Sequence, residues 1–122
     1  RRIIFNGDLL TFADFNREHA RCLTFLKEAV SCSKAKKKIV VTHHVPSFQM
    51  QCLKFADSLA NGAFTVELED YIKDSGIDFW IYGHSHYNVD VRIGNTMCVS
   101  NQLGYVFHGE HESFNPYKNI EV

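Results

Sequence analysis

Trp80-Ile81-Tyr82-Gly83-His84-Ser85-His86 decides the fold. A run of bulky apolar residues stops at a glycine, and two histidines follow one residue apart. Upstream, Ile39-Val40-Val41-Thr42-His43-His44-Val45-Pro46 has the same layout. Ile39, Val40 and Val41 are all β-branched and apolar, the pattern of a strand buried on both faces. Pro46 cannot donate to a sheet ladder and forces a loop. Each histidine cluster therefore sits just past the carboxyl end of an expected strand. Parallel strands of α/β units aim those ends at one crevice, where ligands bind.

Neutral imidazole is the commonest metal ligand and suits Zn, Fe, Mn and Ni. The two rings leave an extended or turning backbone on the same side, as residues i and i+2 of an extended chain do, so His84 and His86 can reach one ion or two neighbouring ions. Gly83 lets the backbone turn with no Cβ in the way. An H-x-H pair alone is equally well a pair of surface histidines in a turn. The second cluster in a matching place is what favours a metal site. His19 falls on an expected exposed helix face, and His108 and His111 in a polar tail, so these three read as solvent-facing.

Outside the two histidine runs, strands and helices alternate. Residues 3–5 read as a short strand leading into a turn at Gly7-Asp8. A Gly-Asp after an apolar strand also fits a metal-binding carboxylate, but the turn is preferred. Asn16 is a suitable N-cap for a helix to about Ser31. Its apolar face would be Cys22, Leu23, Leu26, Ala29 and Val30. Lys36-Lys37-Lys38 reads as a solvated connection. Residues 47–63 lack clean periodicity and read as a lid-like loop, the kind of segment where substrate contacts usually live. Thr65 is expected to cap a second helix, with Leu68, Tyr71 and Ile72 facing inward and Gly76 left-handed just past its end. Val89, Val91 and Ile93 alternate with polar residues as in a half-buried strand. Gly94-Asn95 is a two-residue turn signal, residues 96–100 are the partner strand, and residues 120–122 are expected to form a last one. This order argues an α/β fold, read as a single domain over residues 1–122.

Composition bounds the function. A net charge of −1 gives no global case for nucleic acid or an anionic membrane as partner. No apolar run approaches the roughly 18 residues that span a bilayer. Ten Phe and five Tyr supply enough apolar bulk for a core. Cys22, Cys32, Cys52 and Cys98 form no C-x-x-C pair. They read as reduced core thiols of a cytoplasmic protein, Cys22 on the helix stripe and Cys98 in a strand. The chain opens on Arg1-Arg2-Ile3 without Met, so a fragment of a longer protein is expected.

Val40-Val41-Thr42-His43-His44-Val45-Pro46 and Gly83-His84-Ser85-His86 resemble two late motifs of the calcineurin-like metallophosphoesterase superfamily. The likeness extends through residues 15–26, Trp80-Ile81-Tyr82, Asp90, Ile93-Gly94-Asn95-Thr96, Asn101, Gly104-Tyr105 and Phe114-Asn115-Pro116. It covers nearly the whole chain. The resemblance implies the C-terminal half of a four-layer α/β/β/α sandwich with two metal ions between its sheets. It implies His43 and His84 as ligands of one metal and His86 of the other. His44, Asp90 and Asn101 would lie behind the ligands or face substrate, with Asp90 able to orient a ligand histidine.

The implied activity of the complete protein is hydrolysis of a phosphoester substrate with two divalent ions (Mn, Fe, Zn or Ni). The isolated chain would hold at most one ion, weakly. The family's early motifs are an Asp-x-His, a Gly-Asp with the bridging Asp, and a Gly-Asn-His with the catalytic His. They are absent from residues 1–122 and are expected in an N-terminal half before Arg1, together with the catalytic residues. Where relatives often carry an Arg before the Gly-Tyr pair, this chain has Leu103. The alternative expectation is an inactive half-domain or interaction scaffold. Such a half-sandwich would expose a sheet face and self-associate through it as a homo-oligomer.

Overall fold

β-branched and aromatic residues suit a pleated surface, and they build the larger sheet of this protein. A computed structural model describes residues 3–55, 57, 58 and 61–122. The chain forms two compact units, Arg1–Lys34 and Ala35–Val122. The second unit contains β3 (Ile39–Val41), α2 (Glu69–Asp74), β4 (Phe79–Ile81), β5 (Val91–Ile93) and β6 (Thr96–Val99). The four strands lie in the order β3-β4-β6-β5. β3 and β4 are parallel, with Val40 opposite Trp80 and Val41 opposite Ile81. β4 and β6 are also parallel, with Trp80 opposite Cys98. β5 returns antiparallel to β6 through Gly94-Asn95, pairing Ile93 with Thr96. Gly94 is left-handed at φ 57°, as that tight turn requires. The protein is thus a mixed α/β chain.

Side chains paired across strands share a face. One face carries Val40, Trp80, Cys98, Thr96 and Ile93, all buried. It packs on α2. The Tyr71 ring meets Trp80 edge-on at 6.5 Å, and the Thr96 hydroxyl donates to the carbonyls of Ile72 and Ile77. The Trp80 indole N–H donates to Thr42 Oγ1 at 2.9 Å, so this buried aromatic is satisfied at its polar end too. Burial pushes the Cys98 thiol up to about 11. The opposite face carries Ile39, Val41, Phe79, Ile81 and Met97. Ile39 and Val41 remain 45% and 69% exposed. β3 is therefore an edge strand buried on one face, not on two. An apolar run states what a strand can bury, not that both sides are covered.

Several expected boundaries move, each for a local reason. α2 begins after Leu68, where Glu67 Oε1 accepts the Glu69 amide at 2.8 Å. Thr65 does not cap it; Thr65 is buried and bridges Val45 instead. Gly76 is left-handed at φ 67°, as expected. Residues 47–63 include three short 3₁₀ turns, Phe48–Met50, Leu53–Phe55 and Asn61–Ala63. This segment is rooted in the core, because Val45, Ser47 and Met50 are fully buried. Val89 lies outside β5, and residues 120–122 form no strand.

The first unit opens with a hairpin, β1 (Ile4–Phe5) and β2 (Asp8–Leu9). Its turn residues Asn6 and Gly7 are both left-handed, at φ 51° and 92°, as a type I′ turn demands. α1 then spans Phe12–Cys32 and starts at Thr11, not Asn16. Thr11 and Asp14 form a reciprocal capping box: the Asp14 amide donates to Thr11 Oγ1, and the Thr11 amide to Asp14 Oδ2. The Thr11 hydroxyl, ahead of the Arg17 guanidinium, holds the Asp14 carboxyl down at about 2. Val30 is buried and Leu23 and Leu26 are half-buried, but Cys22 and Ala29 are exposed. Cys32 is exposed as well and Cys52 half-buried, so Cys98 is the buried thiol of the four. Among the described residues, no helix is long and apolar enough to cross a membrane.

Candidate functional site

The parallel register of β3 and β4 continues past the strands. The Thr42 amide donates to the Ile81 carbonyl at 2.9 Å, and the Gly83 amide to the His43 carbonyl at 3.1 Å. His43 and His84 therefore leave neighbouring chains at one level, and His43 Nε2 lies 2.9 Å from His84 Nδ1. The His44 ring centre is 4.6 Å from that of His84 and 5.3 Å from that of His43. Phe64 packs on His84 at 4.8 Å. Burial foremost, then the neighbouring His44, His43 and His86, lowers the pKa of His84. That direction favours the uncharged ring, the form in which an imidazole can ligate a metal.

The H-x-H run is not extended. His84 and His86 are themselves left-handed, at φ 71° and 50°, while Gly83 is not among the positive-φ glycines. A Cβ at Gly83 would meet nothing nearer than the His43 carbonyl oxygen at 3.5 Å, an ordinary contact. The sharp turn thus falls on the histidines and not on the glycine. A non-glycine residue in this region is held at a cost of about 1–3 kcal/mol and persists where its surroundings over-determine it. The turn gives the two rings separate partners, although both line one cavity. His84 faces His43. His86 Nδ1 lies 2.8 Å from Glu110 Oε2, and its ring stands edge-on to Tyr105 at 4.8 Å.

Gln102 supplies the bonds that hold the turn. Its Oε1 accepts the His86 amide at 2.8 Å, and its Nε2 donates to the Tyr87 carbonyl and the Ser85 hydroxyl. Asn88 in turn fixes Gln102, accepting its amide at 2.6 Å and donating to its carbonyl at 2.9 Å. Glu110 Oε2 also accepts the Tyr105 amide at 2.6 Å. That backbone bond, ahead of the bond to His86, holds the Glu110 carboxyl below the usual range. His43, His84, His86, Phe64, Ser85, Tyr105 and Glu110 line one cavity of about 380 Å³.

Asp90 and Asn101 have other work. Asp90 accepts the Lys118 ammonium at 2.6 and 2.8 Å. Asn101 exchanges side-chain and backbone bonds with Asn115. Both secure the C-terminal segment and not a histidine ring. Leu103 is about half exposed. The His108 ring packs on Phe107 at 4.5 Å, and His19 and His111 are exposed. Sequence reasoning missed Gln102 and Glu110, which lie 16 and 24 residues beyond His86. The one local signal nearby is Gly104-Tyr105.

Chemically, the cavity offers imidazole nitrogens and one carboxylate, a donor set suited to a borderline divalent cation. Among the described residues, no three or more His, Cys, Asp or Glu side chains are already grouped to hold an ion. The chain is 31% identical over 120 residues to an uncharacterised protein of Acanthamoeba polyphaga mimivirus, across 93% of this chain and 41% of that protein. It therefore spans about two fifths of the length of the curated relative it matches. No protein-family model matches the chain. No solved structure matches it.

Proposed function

We propose that this chain supplies the late histidine ligands of a binuclear, metal-dependent phosphoester hydrolase of the calcineurin-like metallophosphoesterase kind. Its fold is then the C-terminal half of that superfamily's four-layer α/β/β/α sandwich. One observation carries the reading. The three histidines singled out by the H-H-x-P and G-H-x-H motifs line a single cavity beyond the carboxyl ends of parallel strands.

The residues fit such a centre in part. His43 Nε2 and His84 Nδ1 already converge, and both would hold one ion, with His86 on the other. When bound, divalent ions supply the positive charge that polarises a phosphoester. Uncharged imidazoles hold a cation without neutralising it, which leaves its charge for an anionic substrate. Phe64 and Tyr105 wall the cavity with rings. Gln102 keeps the His84-Ser85-His86 turn in place without entering that wall. The bridging carboxylate and the catalytic residues of this reading belong to protein outside residues 1–122. The metal is Mn, Fe, Zn or Ni.

The test is His84→Ala in the full-length protein. Metal-dependent hydrolysis of a generic phosphodiester should fall by more than about 100-fold, beyond the loss typical of a group that merely supports a ligand. Retained hydrolysis would sink the assignment. Elemental analysis of the same preparations should show the metal content falling with the activity.

A second reading, an inactive chain that self-associates, is favoured by the open sheet face at Ile39 and Val41. Sedimentation of residues 1–122 decides it, since a clean monomer is incompatible with self-pairing through that face.

A further inference from the structure

We propose that Glu110 is a positioning residue for His86, fixing the proton on Nδ1 so that Nε2 is the nitrogen with the free lone pair. The inference rests on the reading of His86 as a metal ligand. It goes beyond that reading by naming the donor atom and the residue that selects it.

A carboxylate only accepts hydrogen bonds. With Glu110 Oε2 at 2.8 Å from His86 Nδ1, that nitrogen must be the donor, and in the neutral ring the lone pair then sits on Nε2. The same oxygen is held by the Tyr105 amide at 2.6 Å, so the acceptor is fixed from a second side. On the other side of the bond, Gln102 holds the His86 amide at 2.8 Å. Neither end of the His86–Glu110 contact is left to side-chain drift.

The backbone is built around this contact. Gly104 is left-handed at φ 64°, and a Cβ there would lie 2.6 Å from Glu110 Cβ and 3.2 Å from His86 Cβ. The two side chains meet only because position 104 has none. His43 and His84 differ in this respect. Their ring nitrogens face each other at 2.9 Å, and either can be the donor, so that contact leaves the tautomer open. An oriented ring is what a histidine ligand gains from a carboxylate on its second nitrogen.

The experiment uses the full-length protein. Long-range proton–nitrogen correlation spectra of the metal-free form, at about pH 8 where imidazole is ordinarily neutral, report each ring's tautomer. His86 should show protonated Nδ1 and bare Nε2. Glu110→Gln keeps an accepting oxygen and should keep that pattern, whereas Glu110→Ala should return the ring to a mixture. Titration with Zn²⁺ alone, followed by calorimetry, should show about 10- to 100-fold weaker binding in Glu110→Ala.

A wild-type His86 carrying its proton on Nε2 overturns the proposal, and so does an unchanged tautomer in Glu110→Ala. If Glu110→Ala does not fold, the wild-type and Glu110→Gln spectra still decide. Should the tautomer be as stated while the wild type takes up no metal, the metal-centre reading falls and the positioning role stands.

Discussion

The His43–His84 pair and the His86–Glu110 pair line the same cavity but are held there by different means. His43 and His84 follow two parallel strands whose ladder continues past their ends, through Thr42 to Ile81 and Gly83 to His43. Their meeting is a property of backbone register. His86 and Glu110 lie in irregular chain, 24 residues apart. They meet through Gln102, Asn88, the Tyr105 amide and the missing side chain of Gly104. The first pair should depend on how well the sheet packs and little on its immediate neighbours. The second should depend on a few polar side chains and one glycine.

The broadest way to break the comparison is to damage the sheet under both pairs. Trp80 is fully buried, pairs with Val40 and Cys98, and donates to Thr42 just before His43. Trp80→Ala should destabilise the protein by about 3–5 kcal/mol in urea unfolding. A loss well under that range would mean the register does not rest on this packed face.

A pair of glycine substitutions separates the two halves. Gly104→Ala places a Cβ 2.6 Å from Glu110 in a left-handed backbone and should cost about 2 kcal/mol. The His86 ring resonances should move while those of His43 and His84 stay. Gly83→Ala meets only ordinary contacts and should stay within about 1 kcal/mol of the parent. Equal costs at the two positions would erase the distinction.

The smallest effect sharpens the backbone half from its far end. Asp78 accepts the Lys38 amide at 2.9 Å and the Lys37 ammonium at 3.2 Å, tying the start of β3 to the start of β4. The Lys38 amide, then Lys37, holds the Asp78 carboxyl below its ordinary 3.8. A carboxylate depressed on folding contributes stability that is complete above its unfolded pKa. That contribution is lost as pH falls through the lower folded value. The urea midpoint should therefore decline on acidification below about pH 4, and less steeply in Asp78→Asn. Identical acid slopes would remove Asp78 from the register.

How much was legible followed the same division. The strands after which the histidines stand, the Gly94-Asn95 hairpin and left-handed Gly76 are all local patterns, and they sit where the sequence reading put them. Asn16 is a good cap in isolation, but α1 starts at Thr11. Thr11 wins because Asp14 answers it three residues on. Cys22 has helical spacing to Leu26, yet it is exposed. Gly83 was given the turn by its residue type, while the left-handed angles belong to His84 and His86. Asp90 and Asn101 were placed with the histidines by resemblance and instead secure the C-terminal segment.

By itself, the sequence determined the mixed α/β order, the strand ends and the chemical type of the side chains that follow them. Those depend on neighbours within a few residues, where periodicity and turn chemistry act. Only the tertiary structure decided that β3 stays open on one face, that Gln102 holds the histidine turn and that Glu110 meets His86. Each of these joins residues far apart in the chain, and no local pattern carries the energy of a hydrogen bond made across that distance.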